Sequence, residues 1–129
     1  MKYKMIAILV FSIFTTTAFS QSRLDKMKAT PASKMAAKLT SMLQEKLSLT
    51  DAQVEKVSPI YLEDAKKKKV LMEDFSIFTV RGKMKKINKA TASKLKGILT
   101  SEQMQRYEDS VEAEIQKEFK AWIDDQNII

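Results

Sequence analysis

Two five-residue stretches decide the fold: Leu49-Thr50-Asp51-Ala52-Gln53 and Leu99-Thr100-Ser101-Glu102-Gln103. In each stretch the threonine oxygen can accept a hydrogen bond from the backbone N–H of the glutamine, and the glutamine side chain can reach back to the threonine N–H. The leucine before each threonine can pack on the apolar residue five positions later, Val54 or Met104. Because this is the signature of a helix start, two helices are predicted to begin in the same way, fifty positions apart.

The spacing of apolar residues predicts four amphipathic helices around these two starts. They cover about Pro31 to Leu47, Asp51 to Phe78, Lys83 to Lys96, and Ser101 to Gln126. When the two starts are aligned, the apolar stripes of the second and fourth helices fall in one register. Since the connections are short, consecutive helices should be antiparallel neighbours, and the expected fold class is all-α, with four helices in two antiparallel hairpins.

Local signals refine these boundaries. Thr30 is expected to cap the first helix, with Pro31 at its first position, and Pro59 should bend the second helix because proline cannot donate to the preceding turn. Residues 75–80 could also form a short strand, although no second run exists to pair with it, and Gly82 is expected to end this segment. The stripes are narrow and aromatic residues are few, which favours an open arrangement completed by a second copy over a compact bundle.

The first twenty residues have the pattern of a cleaved signal peptide. Two lysines precede an apolar run from Met5 to Phe14, and Ala18-Phe19-Ser20 supplies a small-residue cleavage site. An uncleaved anchor is the alternative, but ten apolar residues rise only about 15 Å as a helix, half the thickness of a hydrocarbon core. We therefore expect an exported, periplasmic protein with a single domain over residues 21–129, in which the polar residues 21–29 form a flexible arm.

The composition excludes most catalytic chemistry. The 129 residues include no His, no Cys and only two Gly. Catalytic triads, disulfides and most zinc or copper sites therefore lack their residues, and phosphate-binding glycine loops cannot be built. Adjacent carboxylates on a helix point about 100° apart rather than towards one substrate. No enzyme activity, cofactor or metal site is expected, and an exported chain without cysteine must be held together by packing.

Charge is unevenly distributed along the chain. Residues 59–100 contain eleven Lys or Arg against four acids, whereas residues 101–129 contain eight acids against three bases. The basic segment could capture acidic clients and hand them to apolar side chains; the alternative is a solvated helix face that complements the acidic fourth helix. The candidate client or partner surface consists of Lys66, Lys67, Lys69, Arg81, Lys83, Lys85, Lys86, Met35, Met42, Phe75 and Phe78.

Particular residue types support three further interpretations. Met35 and Met42 lie at core spacing, so packing is the alternative to client contact. The chain has three arginines and no basic run interleaved with aromatic residues, which argues against nucleic-acid binding. Weak contact of a Lys-rich helix with a membrane surface stays open. Lys68 and Glu118 fall inside the apolar stripes at equivalent heights, and they either pair with each other or face water where the stripes open.

The paired stretches, in an exported Lys- and Met-rich helical chain, resemble the LTxxQ-motif family of periplasmic proteins (Spy/CpxP-like). The residues that carry the resemblance are Leu49, Thr50, Gln53, Leu99, Thr100 and Gln103. The resemblance implies an all-α, cradle-shaped antiparallel dimer that binds unfolded clients on a basic and apolar face without ATP. A regulatory adaptor or sensor for one specific envelope partner is an alternative within the same resemblance. A metal-responsive member is a third, which the absence of His argues against.

Overall fold

The protein is described by a computed structural model over residues 21–73 and 77–126, and every regular element in those ranges is helical. The elements are α1 (Gln21–Ala29), α2 (Ala32–Leu47), α3 (Asp51–Glu73), α4 (Ile77–Lys96), α5 (Ser101–Arg106), a π-helical segment (Tyr107–Val111) and α6 (Glu112–Asp124). The last three follow one another directly and form one long C-terminal helix. The all-α fold class is confirmed, although the described chain has five helices in space where four were expected.

The additional helix is α1, so the prediction of a flexible, unstructured arm at residues 21–29 is wrong. Arg23 donates from Nε and from its guanidinium Nη2 to the two carboxylate oxygens of Asp124, over 2.9 and 2.7 Å. Lys26 Nζ donates to the backbone carbonyl of Asp124 over 2.5 Å. The sequence does not show this helix because it lacks a long apolar stripe of its own. Its docking depends in part on ion pairs and hydrogen bonds to Asp124, about a hundred positions away.

Thr30 ends α1 instead of capping α2, which corrects the predicted role. Its hydroxyl and its backbone N–H both donate to the carbonyl of Lys26, over 2.7 and 3.0 Å. Pro31 stands in the cap position of α2, where no side chain makes a capping bond. The Thr30 side chain is fully buried, so its hydroxyl meets the requirement that a buried donor find a partner within the protein.

The predicted end of α2 is confirmed, whereas the predicted boundary at Gly82 is wrong. Ser48 lies in the left-handed region with φ of 53° and ends α2 where the break was predicted. Helix α4 already begins at Ile77, and Gly82 lies inside it, so the prediction that this glycine ends the segment is wrong. The strand alternative is also wrong for residues 77–80, which are helical; residues 74–76 lie outside the described residues. A glycine inside a helix costs only about 1 kcal/mol, which the rest of α4 outweighs.

The main core forms where α2, α3, α4 and the C-terminal helix meet. Leu43, Val57 and Leu95 are completely buried in it. A smaller cluster around Met35, Ala65 and Ile123 includes Met27 of α1 at its edge. Most of the predicted stripe residues are thus buried within one chain, although Ile87 and Phe119 are only half-buried. The homodimer stays a prediction.

The N-terminal twenty residues, with the predicted signal peptide, lie outside the described residues. Among the helices that are described, none is both long and apolar enough to cross a bilayer.

Candidate functional site: paired helix starts and a basic surface

Both predicted capping boxes form. The backbone N–H of Gln53 donates to Thr50 Oγ1 over 3.2 Å, and Thr50 N–H donates to Gln53 Oε1 over 3.0 Å. The equivalent distances for Thr100 and Gln103 are 3.1 and 2.9 Å. Leu49 and Leu99 are both buried in the main core, next to the starts that they were predicted to staple. The six motif residues therefore have the local structural role that the sequence predicted.

The two motifs also bind each other, which the sequence analysis did not anticipate. Gln53 Nε2 donates to Gln103 Oε1 over 2.7 Å, and the reverse contact measures 3.4 Å. Each amide also reaches the end of the helix that precedes the other motif: Gln53 donates to the carbonyl of Ile98 over 3.3 Å and Gln103 to that of Leu47 over 3.2 Å. Leu47 is the last residue of α2, where the carbonyl has no partner within the helix, and Ile98 lies in the turn that follows α4. One amide pair therefore joins four helix ends.

A buried carboxylate, also missed, lies between α3 and α4. Asp64 is 3% exposed. Its Oδ2 accepts from Thr91 Oγ1 over 2.5 Å, and its Oδ1 lies 2.9 Å from Lys68 Nζ. This ion pair explains why a lysine stands inside the apolar stripe of α3: its head meets the charge that its neighbour one turn earlier buries.

The alternative in which Lys68 pairs with Glu118 is therefore wrong. Glu118 instead accepts from Lys46 Nζ over 2.6 Å, and Glu114 lies 3.5 Å from the same nitrogen. The hydrogen bond with Glu118 raises the pKa of Lys46. Lys46 lies on α2, and α2 packs against the C-terminal helix that carries Glu114 and Glu118.

Two tyrosines form a second buried polar contact at the π-helical segment. The buried phenols of Tyr61 and Tyr107 interact electrostatically, and the charge of Glu112 acts on both. Burial raises the pKa of both phenols above the ordinary value, and the charge of Asp64 adds to this for Tyr61. Both rings stay neutral over the physiological range, and they place one phenol of α3 and one of the C-terminal helix inside the core.

The residues of the predicted client surface are only in part exposed. Its members on α3 and α4 that are exposed are Lys66, Lys67, Arg81, Lys83, Lys85 and Lys86. Lys69 is instead half-buried and donates to the carbonyls of Lys28 and Thr30, over 2.9 and 2.6 Å, where it closes the end of α1. Phe75 and the side chain of Phe78 lie outside the described residues.

Met35 and Met42 do not belong to that surface. They are 2% and 6% exposed, so the assignment as client contacts is wrong and the packing alternative is confirmed. Their spacing at the first apolar stripe already indicated the core.

Helix α4 carries seven Lys or Arg and no acidic residue over its twenty positions. Glu63, a carboxylate on α3, bonds to Lys94 of α4 over 2.6 Å and to Lys67 over 3.0 Å. These two cations lower the pKa of Glu63 to about 2. Among residues 21–73 and 77–126, no carboxylate lies within ion-pair distance of Lys83, Lys85, Lys86 or Lys89. Like charges three and four residues apart repel, so α4 keeps a positive surface at some cost in stability.

An open groove of about 420 Å³ runs between α3 and α4. Its walls include Lys67, Lys83 and Lys86 as cationic members and Val70, Leu71 and Ile87 as apolar members. Val70 is 66% exposed, and within the part of the chain that the structure describes it is the one large apolar residue that is mostly exposed. The described residues contain no group of three or more His, Cys, Asp or Glu placed to hold a metal ion.

Compared with known proteins, the chain matches no protein-family model, no curated protein and no solved structure. The LTxxQ resemblance therefore remains a prediction that depends on the two motifs and on the helical composition.

Proposed function

We propose that this protein is exported to the periplasm and binds unfolded or partner polypeptides through the basic surface of α3 and α4, without ATP. The observation that carries the proposal is the charge of α4, which has seven Lys or Arg, no acid, and four lysines without a described ion-pair partner. A helix with this composition attracts acidic segments over roughly a Debye length of 8 Å.

Binding then needs only loose contacts. Long-range attraction speeds the encounter, and flexible lysine side chains together with the exposed Val70 make contacts that many sequences can satisfy. The buried methionines take no part, so affinity should depend on charge more than on apolar contact. The proposal therefore predicts a strong dependence on ionic strength.

Suppression of aggregation tests the proposal. Reduced α-lactalbumin, an acidic client that aggregates on unfolding, is monitored by light scattering with a stoichiometric excess of the protein at low salt. The variant Lys83→Gln/Lys85→Gln/Lys86→Gln should lose most of the suppression. The matched control Lys28→Gln/Lys56→Gln/Lys117→Gln removes three exposed lysines on other helices and should retain it. No suppression by the unaltered protein at low salt would remove the proposal.

A dedicated regulatory role is the competing function, and the breadth of partners separates the two. Affinity capture from envelope extracts should give many partners for a general binder and one dominant partner for an adaptor or sensor. The homodimer belongs to the same proposal, and solution mass by light scattering tests it separately from client binding.

A further inference from the structure

The groove between α3 and α4 combines two features that one small ligand can satisfy. Val70, Leu71 and Ile87 give it an apolar wall, and Val70 remains 66% exposed there. Lys67, Lys83 and Lys86 line the same groove. Its volume of about 420 Å³ falls within the roughly 300–1,000 Å³ typical of small-molecule sites.

The three lysines that line the groove differ in whether a carboxylate of the protein already lies beside them. Lys67 already has Glu63 at 3.0 Å. Lys83 and Lys86 have no ion-pair partner among residues 21–73 and 77–126, and they are exposed one turn apart on α4. Two such ammonium groups on one side of an apolar groove are complementary to a single anionic head group, since cations beside an apolar wall favour a molecule with both characters.

We propose that this groove binds a monomeric, single-chain anionic amphiphile: an alkyl chain that lies along Val70, Leu71 and Ile87, with a carboxylate or phosphate held by Lys83 and Lys86. A bilayer fits less well, because surface-binding helices present a broad apolar face, whereas the described surface exposes one large apolar side chain within a concavity. This site does not rest on the proposed binding of polypeptides, and its test is separate.

The test uses the full chain and dodecanoate below its critical micelle concentration. Amide chemical shifts in ¹H–¹⁵N spectra locate the binding, and titration gives a Kd. Shifts should saturate and concentrate at residues 67–71 and 83–90. Acetate, which has the head group alone, and dodecyltrimethylammonium, which reverses the charge, should each bind at least roughly tenfold more weakly, because each lacks one of the two contacts.

Paired variants assign the contacts. Lys83→Gln/Lys86→Gln should raise the Kd of dodecanoate by about fivefold or more, whereas Lys85→Gln/Lys89→Gln, which removes the same charge from α4 outside the groove, should change it less than about twofold. Val70→Asn should weaken binding while circular dichroism stays unchanged, since Val70 is exposed. All variants share residues 1–20, so any binding by that apolar run cancels in the comparison.

Three outcomes would overturn the site. Equal weakening by the two lysine pairs would mean that only net charge matters. Equal affinity for the cationic amphiphile would mean that the lysines bind no head group. Binding only to vesicles of phosphatidylglycerol, with no shifts from monomeric dodecanoate, would assign the surface to a membrane instead of a free amphiphile.

Discussion

Gln53 and Gln103 each combine a local and a long-range role. Locally, each completes a capping box with the threonine three residues earlier. Over a distance of fifty positions, each amide bonds to the other and to a carbonyl at the end of another helix. A side-chain amide has two donors and one acceptor oxygen, so a single glutamine can make all of these contacts. This explains why glutamine suits both positions better than glutamate, which would place two negative charges in contact.

A double-mutant cycle on this pair should reveal coupling. Gln53→Ala and Gln103→Ala should each cost about 1–3 kcal/mol, because each leaves part-buried donors or acceptors without a partner. The double variant should cost less than their sum by at least about 0.5 kcal/mol, since the bond between them is lost only once. Urea unfolding followed by circular dichroism measures this. Gln105→Ala, exposed on α5, is the control, and strictly additive losses would contradict a direct bond.

Sequence patterns predicted the caps because every partner lies within five residues. They did not predict the amide pair, although the two glutamines stand at equivalent positions of the fifty-residue register, a signal that could have found it. Asp64 and Thr91 gave no such signal: a single aspartate inside an apolar stripe looks like an interruption until α4 is packed against it.

The variant Asp64→Asn tests whether a buried carboxylate contributes more to the free energy of unfolding than an exposed one. The amide can still accept from Thr91, but Lys68 loses its carboxylate in a half-buried position, so we expect a loss of about 1–3 kcal/mol in the free energy of unfolding. Glu63→Gln, on the neighbouring exposed position, removes contacts to Lys67 and Lys94 that solvent screens, and it should cost clearly less than Asp64→Asn. Thermal or urea unfolding compares the two variants. Equal losses would show that burial of Asp64 contributes nothing.

The two long helices that begin with the repeated motif each carry an irregular feature at matching positions. Their buried stripes are spaced by four residues: Val57, Tyr61 and Ala65 in α3, and Tyr107, Val111 and Ile115 in the C-terminal helix. A regular α-helix repeats every 3.6 residues, so a stripe with a period of four drifts around it. The C-terminal helix compensates with the π-helical segment at 107–111, and α3 has Pro59 at the equivalent of position 109. Both stripes and Pro59 are visible in the sequence, but the π-helical segment is not.

Deleting one exposed residue of the π-helical segment should be tolerated. Because such a segment amounts to one extra residue in an α-helix, deletion of Ser110 should restore regular geometry and keep Ile115 and Ile123 facing the core. We expect a loss below about 1.5 kcal/mol.

Deletion of Lys117, an exposed residue of α6, is the matched control. It should turn Phe119 and Ile123 by about 100° and cost more than roughly 3 kcal/mol. Urea unfolding of both deletions, with circular dichroism for helix content, makes the comparison. If both deletions were equally damaging, the π-helical segment would not serve to align the stripe.

The free energy of unfolding should depend on pH in the alkaline range, because Lys120 is partly buried near Arg23 of the docked helix α1. Burial, and the nearby charge of Arg23, lower the pKa of Lys120 from 10.5 to about 8. Between pH 8 and about 10 the unfolded chain therefore binds more protons at this lysine than the folded chain, so this group makes stability rise with pH. The raised pKa values of Tyr61 and Tyr107 act in the opposite sense above pH 10, where unfolding releases their protons.

Lys120→Met should flatten the rise between pH 8 and 10, and Lys117→Met, exposed on the same helix, should leave it in place. The fluorescence of Trp122, the single tryptophan of the chain, reports urea unfolding at each pH. A rise of equal size in both variants would assign the effect to other groups.

Across the chain as a whole, the sequence predicted the helical class and most of the core. It failed where contacts join distant segments: the docking of α1 and the helix ends that meet at Gln53 and Gln103. The spacing of Met35 and Met42 indicated the core, but both were also assigned to the client surface. Segregation of charge was visible in the sequence, but its cost was not. In the structure, α4 gathers like charges that are not alternated with acids.

That cost leads to a prediction that separates stability from function. Lys85→Glu places an acid four residues from both Arg81 and Lys89, so repulsion becomes attraction along α4. The free energy of unfolding should rise by about 0.3–1 kcal/mol at low salt. Lys85→Gln, which removes the charge without reversing it, should give about half that gain. Both gains should shrink in 1 M NaCl, where the Debye length is only about 3 Å.

The same variant should bind worse while it folds better. If the positive surface of α4 is kept for a negatively charged partner, Lys85→Glu should lose suppression of α-lactalbumin aggregation, and the more stable protein should be the less active one. Urea midpoints and light scattering on the same preparations measure both properties. A variant that gains stability and keeps full activity would separate the charge of α4 from binding, because the cost of seven like charges on one helix would then be maintained for no client.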